Sequence, residues 1–325
     1  MTETMQKILE EIDRHNRFFI TTHVRPDGDA IGSMLAMGEV LEQKGKSVEM
    51  YCQDELLPWQ KTLPGAERIK NSFPSEVDSF EVGIVLDCGE LSRTGRNEDE
   101  IRRIPVLINI DHHLTNKPFT ELRMADTKAS STSELLFDLF NSLTIDWSVS
   151  ICTNLYVGIF TDTGSFRFSN TNERCLEIAS FLVKNGASPS QIAEKIYNTC
   201  KVNRLRLLHE VLGTLELTPA GDIAYVTATR EMFQKTGTTS RDTEDFINFP
   251  RAIKDIKIAI FFREEENNFI NVSYRSVGNI NVAELAGYFG GGGHYNAAAC
   301  RFRGLTMSEV MEKVIRAAND FLHGK

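Results

Sequence analysis

Val82-Gly-Ile-Val-Leu86 followed by Asp87, and Val106-Leu-Ile-Asn-Ile110 followed by Asp111-His112-His113, are the two stretches that decide the fold. Each is a dense apolar run of the kind buried on both faces in a parallel sheet. Each ends in side chains that bind cations or protons. Upstream, Phe18 to Thr22 is a third β-prone run, and it opens into His23-Val-Arg-Pro-Asp27-Gly-Asp29-Ala-Ile-Gly-Ser33. Ala30 to Lys44 then carries small or apolar residues at Ile31, Met34, Leu35, Gly38 and Leu41, a helical period, with Gly45 as its stop. Val48 to Cys52 reads as another strand. Alternation of β and α in the first half predicts an α/β layer architecture with right-handed crossovers.

The carboxyl ends of strands in such a sheet share one edge, where ligands bind. Three strand ends here carry imidazole or carboxylate. One imidazole and two carboxylates within seven residues, His23, Asp27 and Asp29, have the composition of a hard divalent-metal site. An Asp after a strand is often only a turn residue or cap. A helix N-terminus at this position would equally welcome phosphate. A fourth carboxylate, Asp162, stands in Thr161-Asp-Thr-Gly-Ser-Phe166 behind the apolar helix Ile151 to Phe160.

Beyond Ser133 the pattern turns mainly helical, then changes again after residue 213. Asp222 to Thr229, Ile256 to Arg263 and Phe269 to Arg275 read as strands, the last two joined as a hairpin across Glu265 to Asn268. Val282 to Phe289 reads as a short helix, Ala297 to Phe302 as a strand and Met307 to Leu322 as a closing helix. At 325 residues the chain exceeds the usual size of one core. The expected organisation is a catalytic domain over 1–190, a linker helix over 191–213 and a smaller mixed-sheet α/β domain over 214–325. Gly290 to Gly293, followed by His294, has no evident packing reason. Such a run lets the backbone approach a ligand and can cradle phosphate in N–H groups. No G-K-[ST] follows, so it is not a Walker loop. Arg275 ends a strand, and its fork suits bidentate phosphate recognition.

Composition narrows the class. The 36 Lys and Arg against 45 Asp and Glu leave a net charge of −9, which weighs against gripping long duplex DNA. No uncharged apolar stretch reaches the ~18 residues of a membrane helix. Met1 to Arg17 is charged and periodic, without the apolar block of a secretory signal, so a cytoplasmic location is expected. Six scattered cysteines without a C-x-x-C pair predict reduced thiols rather than disulfides or a Cys-based zinc site. No G-x-S-x-G elbow offers a serine nucleophile.

Taken in order, H-x-R-P-D-G-D-A-I-G-S, a lone Asp after a strand, D-H-H and T-D-T-G-x-F resemble the DHH phosphoesterase family. Ser273-Tyr-Arg275-Ser and Gly290-Gly-Gly-Gly-His294-Tyr-Asn-Ala-Ala-Ala resemble the DHH-associated C-terminal domain. With both domains and this length, the resemblance is strongest to the nanoRNase and PAP-phosphatase branch. It implies a two-Mn²⁺ centre, with Mg²⁺ as substitute. His23 and Asp27 would hold one ion, Asp29, His112 and Asp162 the other, and Asp87 would bridge them. His113 would face the substrate phosphate, with Asp111 orienting its neighbours. Two such ions roughly 3.5–4 Å apart would share an activated hydroxide and clamp an in-line phosphoryl displacement. Arg275, with Gly291, Gly292, Gly293 and His294, would hold a terminal phosphate or nucleotide.

The implied activity is hydrolysis of very short single-stranded RNA to mononucleotides and removal of the 3′-phosphate from adenosine 3′,5′-bisphosphate. The implied assembly is a homodimer. Phosphodiester cleavage of cyclic dinucleotides or linear pApA is the alternative, since the same core supports it. A pyrophosphatase is disfavoured because relatives of that type lack this glycine-histidine run. A processive single-strand exonuclease is disfavoured by chain length and acidity. A nucleotide-binding regulator without turnover would need a missing ligand, and all six positions are filled. Ala297-Ala-Ala-Cys300 departs from the Gly that many relatives carry near the end of this motif.

Overall fold

The computed structural model describes residues 2–113, 118–198, 201–265 and 268–324. The chain divides into two compact units, Met1–Thr199 and Cys200–Lys325. Both are α/β, as expected.

The first unit runs α1 (Glu3–Arg14), β1 (Arg17–Thr21), α2 (Gly28–Gln43), β2 (Ser47–Tyr51), β3 (Ile69–Lys70), β4 (Val82–Leu86), α3 (Glu98–Arg102), β5 (Val106–Asp111), β6 (Leu122–Ala125), α4 (Thr132–Phe140), α5 (Val149–Asp162), α6 (Glu173–Lys184) and α7 (Pro189–Tyr197). Its strands are ordered β3-β2-β1-β4-β5-β6 and all pair in parallel. The short strands β3 and β6, too brief to show a period, were not visible in the sequence. Alternate residues of β1 feed opposite cores. Phe18 and Ile20 pack with α2, α4 and α5, while Phe19 packs with Tyr51, Phe80 and Ile101. Strand order reverses between β1 and β4, because β2 and β3 lie on one side of β1 and β4 to β6 on the other. A crevice therefore opens at the carboxyl ends of β1 and β4.

The second unit runs α8 (Val202–Leu212), β7 (Glu216–Leu217), β8 (Ile223–Ala228), α9 (Arg230–Thr236), α10 (Asn248–Arg251), β9 (Ile258–Glu264), β10 (Phe269–Ser276), α11 (Val282–Gly287), β11 (Gly292–His294), β12 (Ala297–Arg303) and α12 (Met307–His323). Its strands are ordered β11-β12-β10-β9-β8-β7. Only β8 and β9 pair in parallel among the described residues, which makes the sheet mixed. One face, with Ile260, Phe262, Val272 and Tyr274, is buried beneath α11 and α12. The other is covered over β8 and β9 by Leu207, Val211, Phe233 and Phe246. Over β10 and β12 that face carries Asn271, Ser273, Arg275, Ala299 and Arg301, of which Ala299 and Arg301 are exposed within the described residues.

Cys52, Cys88, Cys152, Cys175 and Cys300 are buried free thiols, and Cys200 lies outside the described residues. Residues 266–267 of the expected hairpin link also lie outside them. No helix among the described residues is long and apolar enough to cross a membrane.

Candidate metal centre

The topology brings the polar strand ends to one place. His23 follows β1, Asp87 follows β4, and Asp111 closes β5 ahead of His112 and His113. Thr22 ties β1 to β4 by donating its hydroxyl to the Leu86 carbonyl at 2.9 Å. Asp87 itself sits at φ 53°, a left-handed conformation unusual for a non-glycine residue. Its backbone N–H donates to the Ile110 carbonyl at 2.9 Å, which fixes this bend.

Asp27 caps α2, accepting from the Ala30 N–H at 3.0 Å, and Asp29 stands in the first helical turn. Asp162 is the last residue of α5. These two helices pack backbone to backbone, which sets Asp29 near Asp162. A Cβ on Gly32 would meet the Asn154 carbonyl oxygen at 2.3 Å. One on Gly158 would lie 1.9 Å from Ser133 Oγ and 2.4 Å from Asp29 Oδ1.

Two donor clusters result. His23, Asp27 and Asp87 each place a ligand atom within 4.8 Å of the others, and so do Asp87, His112 and His113. Asp87 is common to both. His112 Nε2 also lies 3.4 Å from Asp162 Oδ2. The charges of Asp87, His112 and Asp27 all act on Asp29.

Hydrogen bonding fixes what the imidazoles present. His23 Nδ1 lies 2.9 Å from the Val24 carbonyl and His112 Nδ1 3.3 Å from the Ala129 carbonyl. A carbonyl only accepts, so both Nδ1 atoms carry a proton, and Nε2 is the nitrogen that can give up its proton and offer a lone pair to a metal. His113 Nδ1 lies 2.7 Å from Asp111 Oδ1, the same pattern with a carboxylate as orienter. Metal-binding histidines are usually held in this way.

Sequence reading missed the residues that seat the carboxylates. Asp29 accepts from the Thr132 N–H at 2.6 Å and the Ser133 N–H at 3.0 Å, the free amides at the start of α4. Thr132 Oγ1 also donates to Asp87 Oδ1 at 2.9 Å. Asn170 donates to the Asp162 carboxylate at 3.4 Å and to the Ser130 carbonyl at 2.9 Å. The signal that could have found them is the run Ser130-Ser-Thr-Ser133 just ahead of the mainly helical region; Ser131 caps α4, which starts at Thr132.

Crowding of like charges shapes the electrostatics. Burial, followed by the Asp87 charge, raises Asp29 to about 7. Burial, followed by the Asp29 charge, raises Asp162 to about 8. Asp27, open to solvent at the mouth, is raised by partial loss of water and then by Asp87. Asp87 goes the other way, down to about 2: burial opposes its charge, but the hydrogen bond from His23 and the three imidazoles outweigh it. Burial likewise opposes the charge on His112 and His23. The carboxylates win in both, raising His112 to about 9 and His23 above its ordinary value. Buried oxygen donors that repel one another, with imidazoles whose Nε2 proton a cation would displace and no thiolate, fit hard divalent cations. The residues present could hold a metal.

In the second unit, Arg275 is half-buried on β10 and donates to the Tyr274 carbonyl at 3.0 Å. Burial lowers its pKa, and so does the neighbouring Arg251. The Asp245 charge acts on Arg275 in the opposite direction; Arg251 gave no signal in the sequence. The glycine run departs from expectation, because packing does explain part of it. A Cβ on Gly291 would meet the Ala299 carbonyl oxygen at 2.3 Å, and one on Gly293 the Ala297 carbonyl oxygen at 2.5 Å. Gly292 to His294 forms the edge strand β11 rather than a loop, paired with Ala297 to Ala299. Gly292 alone of these three has open space around its Cα. The His294 side chain lies outside the described residues.

Fold and site together define a phosphoesterase architecture, and comparison with known proteins agrees. The family described as DHH family, N-terminal domain, matches residues 17–159, and the DHHA1 domain matches residues 222–324. The chain belongs to the DHH family of phosphoesterases, which are hydrolases. It is 31% identical to the bifunctional oligoribonuclease and PAP phosphatase NrnA of Thermus thermophilus, over 94% of this chain and 90% of that protein. It is 28% identical to the protein of the same name from Bacillus subtilis, over 89% and 90%. The crystal structure of an exopolyphosphatase-related protein from Bacteroides fragilis superposes with a TM-score of 0.91 at 29% identity, covering 100% of this chain and 98% of that one.

Proposed function

We propose that this chain hydrolyses very short RNA oligonucleotides to mononucleotides and converts adenosine 3′,5′-bisphosphate to AMP, using two Mn²⁺ ions that Mg²⁺ can replace. The observation that carries the reading is the gathering of His23 with Asp27, and of His112 with His113, around the common Asp87 at the switch point of the parallel sheet, with Asp162 Oδ2 3.4 Å from His112 Nε2. Two relatives bearing both activities in their names, aligned over about nine-tenths of either chain, support the substrate class.

In this reading His23 and Asp27 hold one ion, Asp29, His112 and Asp162 hold the other, and Asp87 serves both. When bound, the ions supply Lewis acidity at phosphorus and lower the pKa of the attacking water. The protein's own groups prepare that chemistry. Thr132 and Ser133 clamp Asp29, and Thr132 also holds Asp87, so the carboxylates pay little orientational entropy on loading. Asp111 holds His113 through Nδ1, so that Nε2, when it carries a proton, can donate to a substrate phosphate oxygen. Arg275, with the Gly291 to Gly293 backbone and His294, holds the phosphate that is not cleaved.

The test is a substrate panel with purified protein and Mn²⁺: a dinucleotide, adenosine 3′,5′-bisphosphate, pApA and a cyclic dinucleotide. Mononucleotides from the first and AMP from the second are expected. Cleavage of the cyclic dinucleotide with the other substrates left intact would overturn the reading.

A further inference from the structure

The second unit contains a cavity of about 860 Å³, within the size range of ligand pockets. It lies at the far end of β10 from Arg275. Phe269 and Arg301 line it, together with Arg230, Arg241 and the hydroxyl-bearing residues Thr238 and Ser240. Its acidic residues are already engaged. Glu264 accepts from the Arg230 backbone N–H at 2.7 Å, and Glu265 accepts from both Arg263 Nε and Nη2, at 2.9 and 2.6 Å. By contrast, Arg241 and Arg301 form no ion pair among the described residues. The Arg301 guanidinium stands 5.5 Å from the Phe269 ring centroid and that of Arg303 5.3 Å, presenting flat cationic groups beside an aromatic ring. Unpaired guanidinium groups with an aromatic partner suit nucleic-acid strands, binding phosphate through charge and bases through stacking.

The register connects this cavity to Arg275. Arg275 pairs with Ala297, Asn271 with Arg301 and Phe269 with Arg303, so all of these side chains leave the same face of the sheet. Six residues of strand separate Phe269 from Arg275, about 20 Å at ~3.3 Å per residue. A dinucleotide or nucleoside bisphosphate anchored at Arg275 is too short to reach the cavity. A strand of about six nucleotides, at ~3.4 Å per stacked nucleotide, does reach it.

We infer that the Arg241–Arg301 cavity is a distal subsite for single-stranded oligonucleotide, engaging the phosphates of nucleotides beyond the second and so setting how substrate length affects affinity. The inference rests on the proposed oligonucleotide hydrolysis for its substrate, but binding tests it separately.

The experiment compares the full-length wild type with Arg241→Ser/Arg301→Ser. KM and kcat are measured on an RNA dinucleotide and an RNA hexanucleotide in Mn²⁺. Binding of a fluorescent hexanucleotide is followed by anisotropy across a salt series with Ca²⁺ in place of Mn²⁺. The double variant is expected to raise KM for the hexanucleotide at least tenfold and leave both constants for the dinucleotide within twofold. Its salt slope should fall by about 1.4, for two phosphate contacts at ~0.7 each on a single strand. Equal losses on both substrates, no loss on the hexanucleotide, or an unchanged salt slope would overturn the subsite. If neither RNA is hydrolysed by the wild type, the proposed function fails, and the anisotropy series still decides the subsite; wild type that does not bind the hexanucleotide overturns it too.

Discussion

The two units handle charge in opposite ways. The first buries carboxylates against one another at the ends of parallel strands, so that Asp29 and Asp162 are pushed to about 7 and about 8. The second lays arginines along one sheet face, half-buried at Arg275 and exposed at Arg301. Buried, hydrogen-bonded donors are fixed in advance and suit bond-breaking, where small displacements are costly. Cations on a more open face suit recognition, because they tolerate varied ligands and act through charge. On the proposed function, one chain thus separates a rigid reaction centre from an adaptable holding surface.

The sharpest way to break that contrast is to delete the shared carboxylate. Asp87→Ala should lower kcat at least a thousandfold and abolish the thermal shift produced by Mn²⁺, read by steady-state kinetics and calorimetry. Retention of both would remove Asp87 from the centre. On the holding side, Arg275→Ala should raise KM about ten- to a hundredfold with kcat little changed, the loss of a charge-assisted hydrogen bond worth ~1.5–3 kcal/mol. A fall in kcat at unchanged KM would place Arg275 with the chemistry instead.

Next in size comes the helix contact beneath Asp29. Gly158→Ala should destabilise the fold by about 1–3 kcal/mol, measured by chemical denaturation, because its methyl has nowhere to go beside Ser133 and Asp29. Gly292→Ala, in open space, should cost less than half as much.

The smallest effect is pH-dependent. Asp29, Asp162 and His112 all have folded values raised above their ordinary ones, so the metal-free fold binds more protons than the unfolded chain between about pH 4 and 9. The stability they contribute is complete at low pH and is lost as pH rises through about 7, 8 and 9. Asp87, depressed to about 2, works in the opposite sense: its contribution is complete above about pH 4 and is lost as pH falls through about 2. The metal-free melting temperature should therefore fall between pH 6 and 9. Mn²⁺ at a hundred times its Kd should restore about 2.7 kcal/mol, or roughly 5–10 °C, with a larger increment at pH 8.5 than at pH 6. An increment that shrinks with pH would contradict the crowded-carboxylate picture.

The strands after which His23, Asp87 and Asp111 stand were legible because buried parallel strands are continuous apolar runs, and polar residues at their ends stand out. The packing of α2 on α5 was not legible. It depends on Gly32 and Gly158 fitting against particular backbone atoms, and no periodicity reports that. Thr132 and Asn170 stayed hidden for a related reason: a hydroxyl or amide that holds a distant carboxylate looks, in one dimension, like a cap or a turn residue. The glycine run misled in the reverse direction. Its absent side chains were read as room for a ligand, whereas Gly291 and Gly293 press against β12.

The strand orders carry a last consequence. Each sheet ends in its briefest strands, β3 and β6 in one, β11 and β7 in the other, of two, four, three and two residues respectively. So few unpaired amides give a passing chain little to zip onto, and at β11 two glycines weaken the template further. A protein built this way discourages fibril seeding at its margins without devoting a single proline or lysine of those strands, other than Lys70, to the purpose.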